Sequence, residues 1–253
     1  MKDLRFQLEL ELINPIFPVD YSRMMISFLK HSIESYYPEL YKEMFKNEKG
    51  LSKSYTFDLF LNQAKFKDGF FEIEGNIVKM TLSSCSLQDS LLFHNAFLLQ
   101  HNQMFYHKGE AVFKVKGVRM LPEPKIHQSE IFIKWMSPLV VLKHAGEKGQ
   151  DIYLRPDDEE FDSQLAFSLN SQLNTLAPHL SLEGFTCEVI EAKPVVAWAF
   201  GQKFSATKGI FKLTGSPELL SFLYEAGLGN KRNAGFGMFD IILRERRGTK
   251  WIE

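Results

Sequence analysis

Residues 5–12 of the chain, RFQLELEL, alternate polar and apolar side chains. The apolar positions are Phe6, Leu8, Leu10 and Leu12. A period of two is typical of a β-strand with one face buried and the other solvated. After a turn at Pro18, apolar residues recur at helical spacing from Tyr21 to Tyr36. This stretch therefore predicts a strand followed by an amphipathic helix.

The rest of the amino-terminal half continues with further strands and one helix. Strand-like segments at 54–61 and 76–82 precede an apolar helix-like segment at 86–100, and another strand-like segment lies at 110–120. The resulting order, β-α-β-β-α-β, is the order of a ferredoxin-like domain. We therefore assign residues 1–123 to one such domain.

Residues 124–253 repeat this order after LPEPKIHQSE, in which two prolines interrupt the pattern. The predicted elements are strands at 131–136 and 138–142, a helix at 161–173, a strand at 185–192, a hairpin from 195 to 215, a helix after Ser216, and a last strand at 236–243. We expect Asp157 and Glu160 to form a capping box, and Ser216 to cap a helix that begins at Pro217. The predicted fold class is α+β, with tandem ferredoxin-like (RRM-like) domains and antiparallel sheets.

Composition narrows the class of protein. Apolar residues make up 45% and charged residues 24%, as in folded soluble proteins. Two cysteines are too few for a disulfide framework, which favours a reducing compartment. The apolar runs are too short to span a bilayer, so we expect no membrane partner and a cytoplasmic location.

Charge is unevenly distributed along the chain. The net charge of −1 argues against a general nucleic-acid binder. Ten acidic residues stand against two basic ones in 147–191, whereas nine basic residues stand against five acidic ones from 201 to the end. The two interpretations are an unevenly charged solvated surface and a carboxy-terminal half that meets an anionic partner.

The segment GLGNKRNAGFG, 227–237, concentrates glycine at one point. It contains Gly227, Gly229, Lys231, Arg232, Gly235, Phe236 and Gly237. Four glycines around two cations predict a loop that receives an anion through exposed amides and charges. The loop follows a helix and opens a strand, unlike the phosphate loops of nucleotide hydrolases. Phe236 is expected either to stack on a base or to be a core residue of the last strand.

The motif GLGNKRNAGFGMFDII, 227–242, resembles the carboxy-terminal glycine-rich signature of the CRISPR-associated endoribonucleases that cut precursor CRISPR RNA within each repeat. Further segments carry the resemblance along nearly the whole chain: RFQLELEL, FPVDYSRMMISFL, WMSPLVVLK, YLRPDDEEFDSQLAFSLNSQL and the segment from IEAKPVVAWAF to YEAGLG. Members of that family are tandem ferredoxin-like proteins.

The resemblance implies cleavage without a metal or other cofactor. The 2′-hydroxyl attacks the neighbouring phosphate and leaves a 2′,3′-cyclic phosphate and a 5′-hydroxyl. The implied partners are CRISPR repeat RNA and a CRISPR effector complex, with the protein acting as a monomer or homodimer. No histidines or cysteines in the sequence are spaced as a zinc site would require.

The resemblance also implies a catalytic histidine just beyond the first helix, and here this sequence departs from the family. No histidine occurs between Ser32 and Phe93. We expect His31, within the first helix, to be the general base or acid, because imidazole exchanges protons near neutral pH. Lys53 is expected to stabilise charge on the phosphorane and Tyr41 to orient the nucleophile. The alternative for each of the three is an ordinary surface or packing residue.

The other amino-terminal histidines have no clear partners in the sequence. His94, His101 and His107 are expected to be surface or packing residues. The missing histidine beyond the first helix also keeps a second function open, that of a non-catalytic RNA-binding subunit of a CRISPR ribonucleoprotein.

Overall fold

The computed structural model describes residues 5–46, 52–144, 151–244 and 251–252. Arg246 and Arg247, which contribute to the basic carboxy-terminal stretch, lie outside these residues. The chain divides into two compact units. The first holds the described residues up to Lys46 together with Phe57–Glu123 and Trp198–Gln202, and the second holds Ser52–Thr56 and the remainder.

The first unit is built around the strand that the alternating segment predicts. Its strands are β1 (Arg5–Leu12), β2 (Ile16–Pro18), β3 (Tyr55–Leu61), β4 (Lys65–Lys67), β5 (Phe70–Glu72), β6 (Ile77–Ser84), β7 (Met104–His107) and β8 (Glu110–Met120). Its helices are α1 (Ser22–Tyr36), α2 (Pro38–Tyr41), which runs into a π-helical turn at Lys42–Lys46, and α3 (Leu87–Leu99). The main sheet has the order β3-β6-β1-β8-β7, and β1 pairs antiparallel with both β6 and β8. The predicted β-α-β-β-α-β arrangement is confirmed.

Aromatic side chains join the two longer helices of this unit to its sheet. Phe28 of α1 stacks on Phe97 of α3 with ring centroids 5.4 Å apart. The same Phe28 ring meets Phe105 of β7 at 5.2 Å and Phe113 of β8 at 5.0 Å, edge to face. These four rings are buried, so their apolar area stabilises the attachment of α1 and α3 to one face of the sheet.

Several short elements were not predicted. The three-stranded sheet β2-β5-β4 and the edge strand β7 have no counterpart in the periodicity analysis. Strands of three or four residues contain too few positions to establish an alternation. Two rings of the small sheet, those of Phe66 and Phe70, are exposed, so burial does not mark these segments either.

The second unit has the same architecture. Its strands are β9 (Glu130–Trp135), β10 (Val141–Lys143), β11 (Ile152–Leu154), β12 (Thr186–Ala199), β13 (Gln202–Thr214), β14 (Phe239–Arg244) and β15 (Trp251–Ile252), and its helices are α4 (Phe161–Leu176) and α5 (Pro217–Ala226). The main sheet has the order β12-β13-β9-β14-β15. Trp135 of β9 lies edge to face against Phe211 and Phe239 at 5.6 Å each, at the centre of its core.

The structure corrects three local predictions in this unit. Asp157 and Glu160 form no capping box, because Glu160 precedes α4 without a side-chain cap and Asp158 instead accepts a hydrogen bond from the Arg155 amide. The segments 185–192 and 195–200 belong largely to one continuous strand, β12. The last strand begins at Phe239 rather than at residue 236.

The predicted cap of α5 is confirmed. The Ser216 hydroxyl accepts a hydrogen bond from the Leu219 amide at 3.2 Å, and Pro217 begins the helix. Gly227 follows its last residue with a φ of +76°. Among the described helices, none combines the length and apolarity that crossing a bilayer requires.

Candidate functional site

The glycine-rich segment 227–237 is packed against the segment 138–142 of the same unit. The Asn230 amide donates to the Val140 carbonyl at 2.8 Å, and the Asn230 side-chain oxygen accepts from the Leu142 amide at 3.0 Å. At the other end of the segment, the Gly237 amide donates to the Pro138 carbonyl at 2.9 Å. These bonds hold the segment in one conformation between α5 and β14.

Two glycines are required by this packing. Gly229 has a φ of +89°, and a Cβ atom there would lie 2.6 Å from the Val140 carbonyl oxygen. Gly237 has a φ of +72°, and its Cβ would lie 2.0 Å from the Leu228 carbonyl oxygen. Both positions combine a left-handed backbone with a close backbone contact, which only glycine tolerates. The glycines therefore serve close chain packing, which differs from the open anion-binding loop expected from the sequence.

Arg232 and Phe236 also point inward. Only 7% of Arg232 is exposed, and its Nη1 donates to the Ala226 carbonyl at 2.7 Å, at the end of α5. A cation at this position stabilises a helix carboxy-terminus. Phe236 is 2% exposed and packs on Phe204 of β13 with centroids 5.6 Å apart. Of the two alternatives for Phe236, the structure shows the core position, although the residue precedes the last strand.

Lys231 is the member of the Lys-Arg pair that reaches the surface. It has a left-handed φ of +56°, and its Nζ lies 5.7 Å from the centre of the Tyr153 ring and 5.6 Å from that of Phe204. These two rings stack on each other at 4.4 Å. Burial lowers the pKa of the half-buried Lys231 ammonium, and the Asp151 carboxylate partly offsets this effect. Lys231 is thus held over an aromatic platform instead of extending freely.

Lys53 belongs to the same unit as the glycine-rich segment. It lies in Ser52–Thr56, which clusters with the second unit although the chain continues into β3. The buried Thr56 hydroxyl donates to the Phe236 carbonyl at 2.8 Å across 180 residues of sequence. A Cβ at Gly227 would come within 3.0 Å of the Thr56 methyl group. Lys53 lies three residues before Thr56, which bonds to the glycine-rich segment, a link that the sequence did not indicate.

His31 and Tyr41 belong to the first unit. His31 is exposed on α1, with its Nδ1 3.4 Å from the Ser35 hydroxyl one turn later. Its ring lies 6.0 Å from that of Phe105. Solvent can therefore reach this imidazole while the helix and the Phe105 ring limit where it points, which suits a proton donor or acceptor.

Tyr41 is the last residue of α2, and its ring packs against Phe45 at 5.4 Å. Burial raises the pKa of the Tyr41 phenol, and the nearby Glu34 carboxylate raises it further. The phenol therefore stays protonated at neutral pH and can donate a hydrogen bond. Among the described residues, no three histidine, cysteine or acidic side chains come together in a way that could hold a metal ion.

Comparison with known proteins agrees with this architecture. The family model for the carboxy-terminal part of CRISPR-associated protein Cas6 matches residues 121–241. The CRISPR-associated endoribonuclease-like protein Cas6nc of Pyrococcus horikoshii is 25% identical to this chain over 234 residues, which cover 90% of this chain and 95% of that protein. The resemblance to the Cas6 family is thereby confirmed.

Two further Cas6 proteins extend the comparison. The CRISPR-associated endoribonuclease Cas6 1 of Methanocaldococcus jannaschii is 25% identical over 246 residues, which cover 94% of this chain and 92% of that protein. A solved structure from a Cas6-related gene of Pyrococcus furiosus is also similar. The match spans 96% of this chain and 99% of the solved chain, with a TM-score of 0.81 at 22% identity. This likeness shows the tandem ferredoxin-like fold.

The matched range contains some of the candidate residues and excludes others. The glycine-rich segment lies inside residues 121–241, whereas His31, Tyr41 and Lys53 precede them. The match to the Cas6 model therefore includes the glycine-rich segment and assigns no role to the three amino-terminal residues.

Proposed function

We propose that this protein is a Cas6-type, metal-independent endoribonuclease that cleaves precursor CRISPR RNA within its repeats. The observation that carries the proposal is the alignment of 94% of the chain with a relative named a CRISPR-associated endoribonuclease. The exposed His31 supports it, because this cleavage needs a side chain that exchanges a proton near neutral pH.

The chemistry requires three contributions from the protein. A base removes the proton of the 2′-hydroxyl, an acid protonates the departing 5′-oxygen, and positive charge or hydrogen-bond donors stabilise the phosphorane. His31 supplies proton transfer in this proposal. Lys53 supplies a positive charge, and Tyr41, which keeps its phenolic proton, supplies a hydrogen bond that orients the reacting group.

The second unit is proposed to hold the RNA through Lys231. Its ammonium is held over Tyr153 and Phe204, so little side-chain freedom is left to lose when a phosphate binds. Arg232 and the glycines contribute indirectly, by fixing the segment that carries Lys231.

Replacing Lys231 by methionine should weaken RNA binding and reduce its dependence on salt. Methionine keeps an apolar stem over the two rings while removing the charge. Loss of one phosphate contact should lower the slope of log K against log salt by about 0.7 for single-stranded RNA. Fluorescence anisotropy with repeat RNA across a salt series measures this slope.

Arg232→Ala is the companion variant for that experiment. It removes a buried charged hydrogen bond worth about 1.5–3 kcal/mol, so it should lower the melting temperature, which Lys231→Met leaves nearly unchanged. An unchanged salt slope in Lys231→Met would contradict the proposed phosphate contact.

The proposed activity is tested by incubating the unaltered protein with repeat RNA from its own genome in excess EDTA. We expect one cut within each repeat, with a 2′,3′-cyclic phosphate on the upstream product and a 5′-hydroxyl on the downstream one. Treatment with a kinase that removes cyclic phosphates, followed by gel analysis, identifies the ends. Tight binding without cutting would instead support a non-catalytic RNA-binding subunit.

A further inference from the structure

The buried ring of Phe105 has an imidazole neighbour on α1 and another on its own strand. Phe105 lies in β7 and is 2% exposed. The His31 ring of α1 lies 6.0 Å from it at an interplanar angle of 47°, and the His107 ring lies 6.4 Å from it at 29°. One buried side chain therefore helps to position two histidines that are 76 residues apart in sequence.

The local structure explains why His107 lies beside Phe105. Residues two apart in a strand point to the same face of the sheet. After His107, Lys108 and Gly109 both have positive φ, +52° and +86°, which is the geometry of a two-residue hairpin turn. His107 is the last residue of β7 and pairs in register with Glu110 of β8. The turn therefore ends β7 at His107, and β7 is the edge strand of the sheet.

Helix α1 brings His31 to the same ring. Phe28 packs on Phe105 at 5.2 Å, and His31 follows Phe28 by three residues, so both lie on one face of the helix. His31 is exposed and His107 is partly exposed, so both imidazoles are accessible from solvent. The Phe28–Phe105 contact holds the helix against the strand.

We propose that His31 and His107 are the two proton-transfer groups of the ribonuclease, an inference that rests on the proposed function. His107 accepts the proton of the 2′-hydroxyl as its oxygen forms a bond to phosphorus. Protonated His31 gives its proton to the 5′-oxygen as the bond from phosphorus to that oxygen breaks. The products are a 2′,3′-cyclic phosphate, a 5′-hydroxyl, protonated His107 and neutral His31, and exchange with water restores the starting state.

The surroundings of His107 suit the base. Burial lowers the pKa of the His107 imidazole, and the positive charge of Lys108 lowers it further. Glu110 pairs with His107 across the hairpin on β8, and from α1 the His31 ring faces the same Phe105 ring. His107 therefore remains neutral at pH 7 and to somewhat lower pH than an ordinary histidine, as a proton acceptor must.

The first test compares His107→Ala with the unaltered protein in single-turnover cleavage of repeat RNA. We expect the rate to fall by roughly a hundredfold or more, because a positioned acid or base contributes about 10²–10⁴. His101→Ala is the matched control. The side chain of this exposed histidine of the same region bonds to the Lys116 carbonyl and to Asn102, and its loss should change the rate by less than about threefold. The variant His107→Gln and thermal melts followed by circular dichroism test whether loss of folding, and not loss of the imidazole, lowers the cleavage rate.

The second test separates the acid from the base. Repeat RNA is synthesised with sulfur in place of the 5′-bridging oxygen at the mapped cut, because a thiolate leaves without needing a proton. This substrate should restore cleavage by His31→Ala to near the unaltered rate while His107→Ala stays slow. Rescue of His107→Ala instead would overturn the assignment of roles.

The outcomes also separate this inference from the proposed function. If the unaltered protein cuts and folded His107→Ala cuts equally fast, the inference fails and the proposed function stands. If the unaltered protein binds repeat RNA without cutting it, both fail. The acidic limb of the pH–rate profile should disappear in any residual activity of His107→Ala, and its persistence there would also contradict the role of His107.

Discussion

His31→Ala should slow single-turnover cleavage of repeat RNA in EDTA by roughly a hundredfold or more. The imidazole is exposed, lies 3.4 Å from the Ser35 hydroxyl and 6.0 Å from the Phe105 ring, and in the proposed mechanism protonates the departing 5′-oxygen. RNA affinity should change little, because proton transfer matters in the transition state rather than in binding. Rapid-quench kinetics and a binding titration measure the two effects separately.

The variant should fold normally. Alanine has the highest helix propensity, and an exposed side chain within α1 can be shortened without leaving a cavity. Ser35→Ala is a useful companion, because it removes the hydroxyl beside the imidazole while keeping the imidazole itself. It should lower the rate by less than His31→Ala does.

Cleavage by His31→Ala at the unaltered rate would contradict the assignment of His31. It would leave the resemblance to Cas6 proteins intact and move the search for proton-transfer groups to Tyr41 and Lys53. Tyr41→Phe and Lys53→Ala, measured on the same substrate, would then identify which of the two the reaction needs.

Gly237→Ala is expected to cause the largest loss of stability among the substitutions considered. The left-handed backbone alone costs a non-glycine residue about 1–2 kcal/mol. A Cβ there would also lie 2.0 Å from the Leu228 carbonyl oxygen, so the segment must shift and strain the bond from the Leu228 amide to the Gly237 carbonyl. We expect a total of roughly 3 kcal/mol or more, and a fall of about 6–12 °C in the melting temperature.

Gly184→Ala is the matched control for that substitution. Gly184 has a φ of +71°, almost the same as that of Gly237, but an added Cβ would meet nothing within 4 Å. The difference between the two melting temperatures therefore isolates the cost of the close contact. Equal melting temperatures would show that the glycine-rich segment is not held as tightly as the structure indicates.

Gly237→Ala should also weaken RNA binding, since a displaced segment carries Lys231 away from Tyr153 and Phe204. The defect should exceed that of Lys231→Met at low temperature, where the variant is still folded. Anisotropy titrations of both variants, about 10 °C below the melting temperature of Gly237→Ala, would check this expectation.

The sequence predicted the main elements because their side chains face a core with a regular period. Phe6, Leu8 and Leu10 alternate along β1 and are fully buried, and Ser216 caps α5 through a contact three residues away. Interactions of this kind are local in sequence, so periodicity and capping rules suffice to find them. The resemblance of residues 227–242 to a known signature indicated the family, and the comparisons confirm this resemblance.

The sequence was less informative about the glycine-rich segment. Glycine, lysine and arginine in one stretch fit both an open anion site and a tightly packed connection. Arg232 was expected to be available to a ligand, and Phe236 either to stack on a base or to lie in the core. The structure buries Arg232 against the end of α5 and Phe236 against Phe204. The Ala226 carbonyl lies six residues before Arg232, and Phe204 lies 32 residues before Phe236. Neither contact follows the period of a helix or a strand, so periodicity does not reveal it.

The amino-acid sequence by itself determined two β-α-β-β-α-β units, the cap of α5 and the position of the glycine-rich segment, because each follows from spacing within a few residues. Tertiary structure alone decided that Thr56 bonds to the Phe236 carbonyl across 180 residues, and that His31 and His107 share the Phe105 ring. Such contacts arise when the buried faces of separate elements pack together. The sequence indicated His31 as a candidate, and the packing of α1 on the β7–β8 hairpin adds His107 beside it.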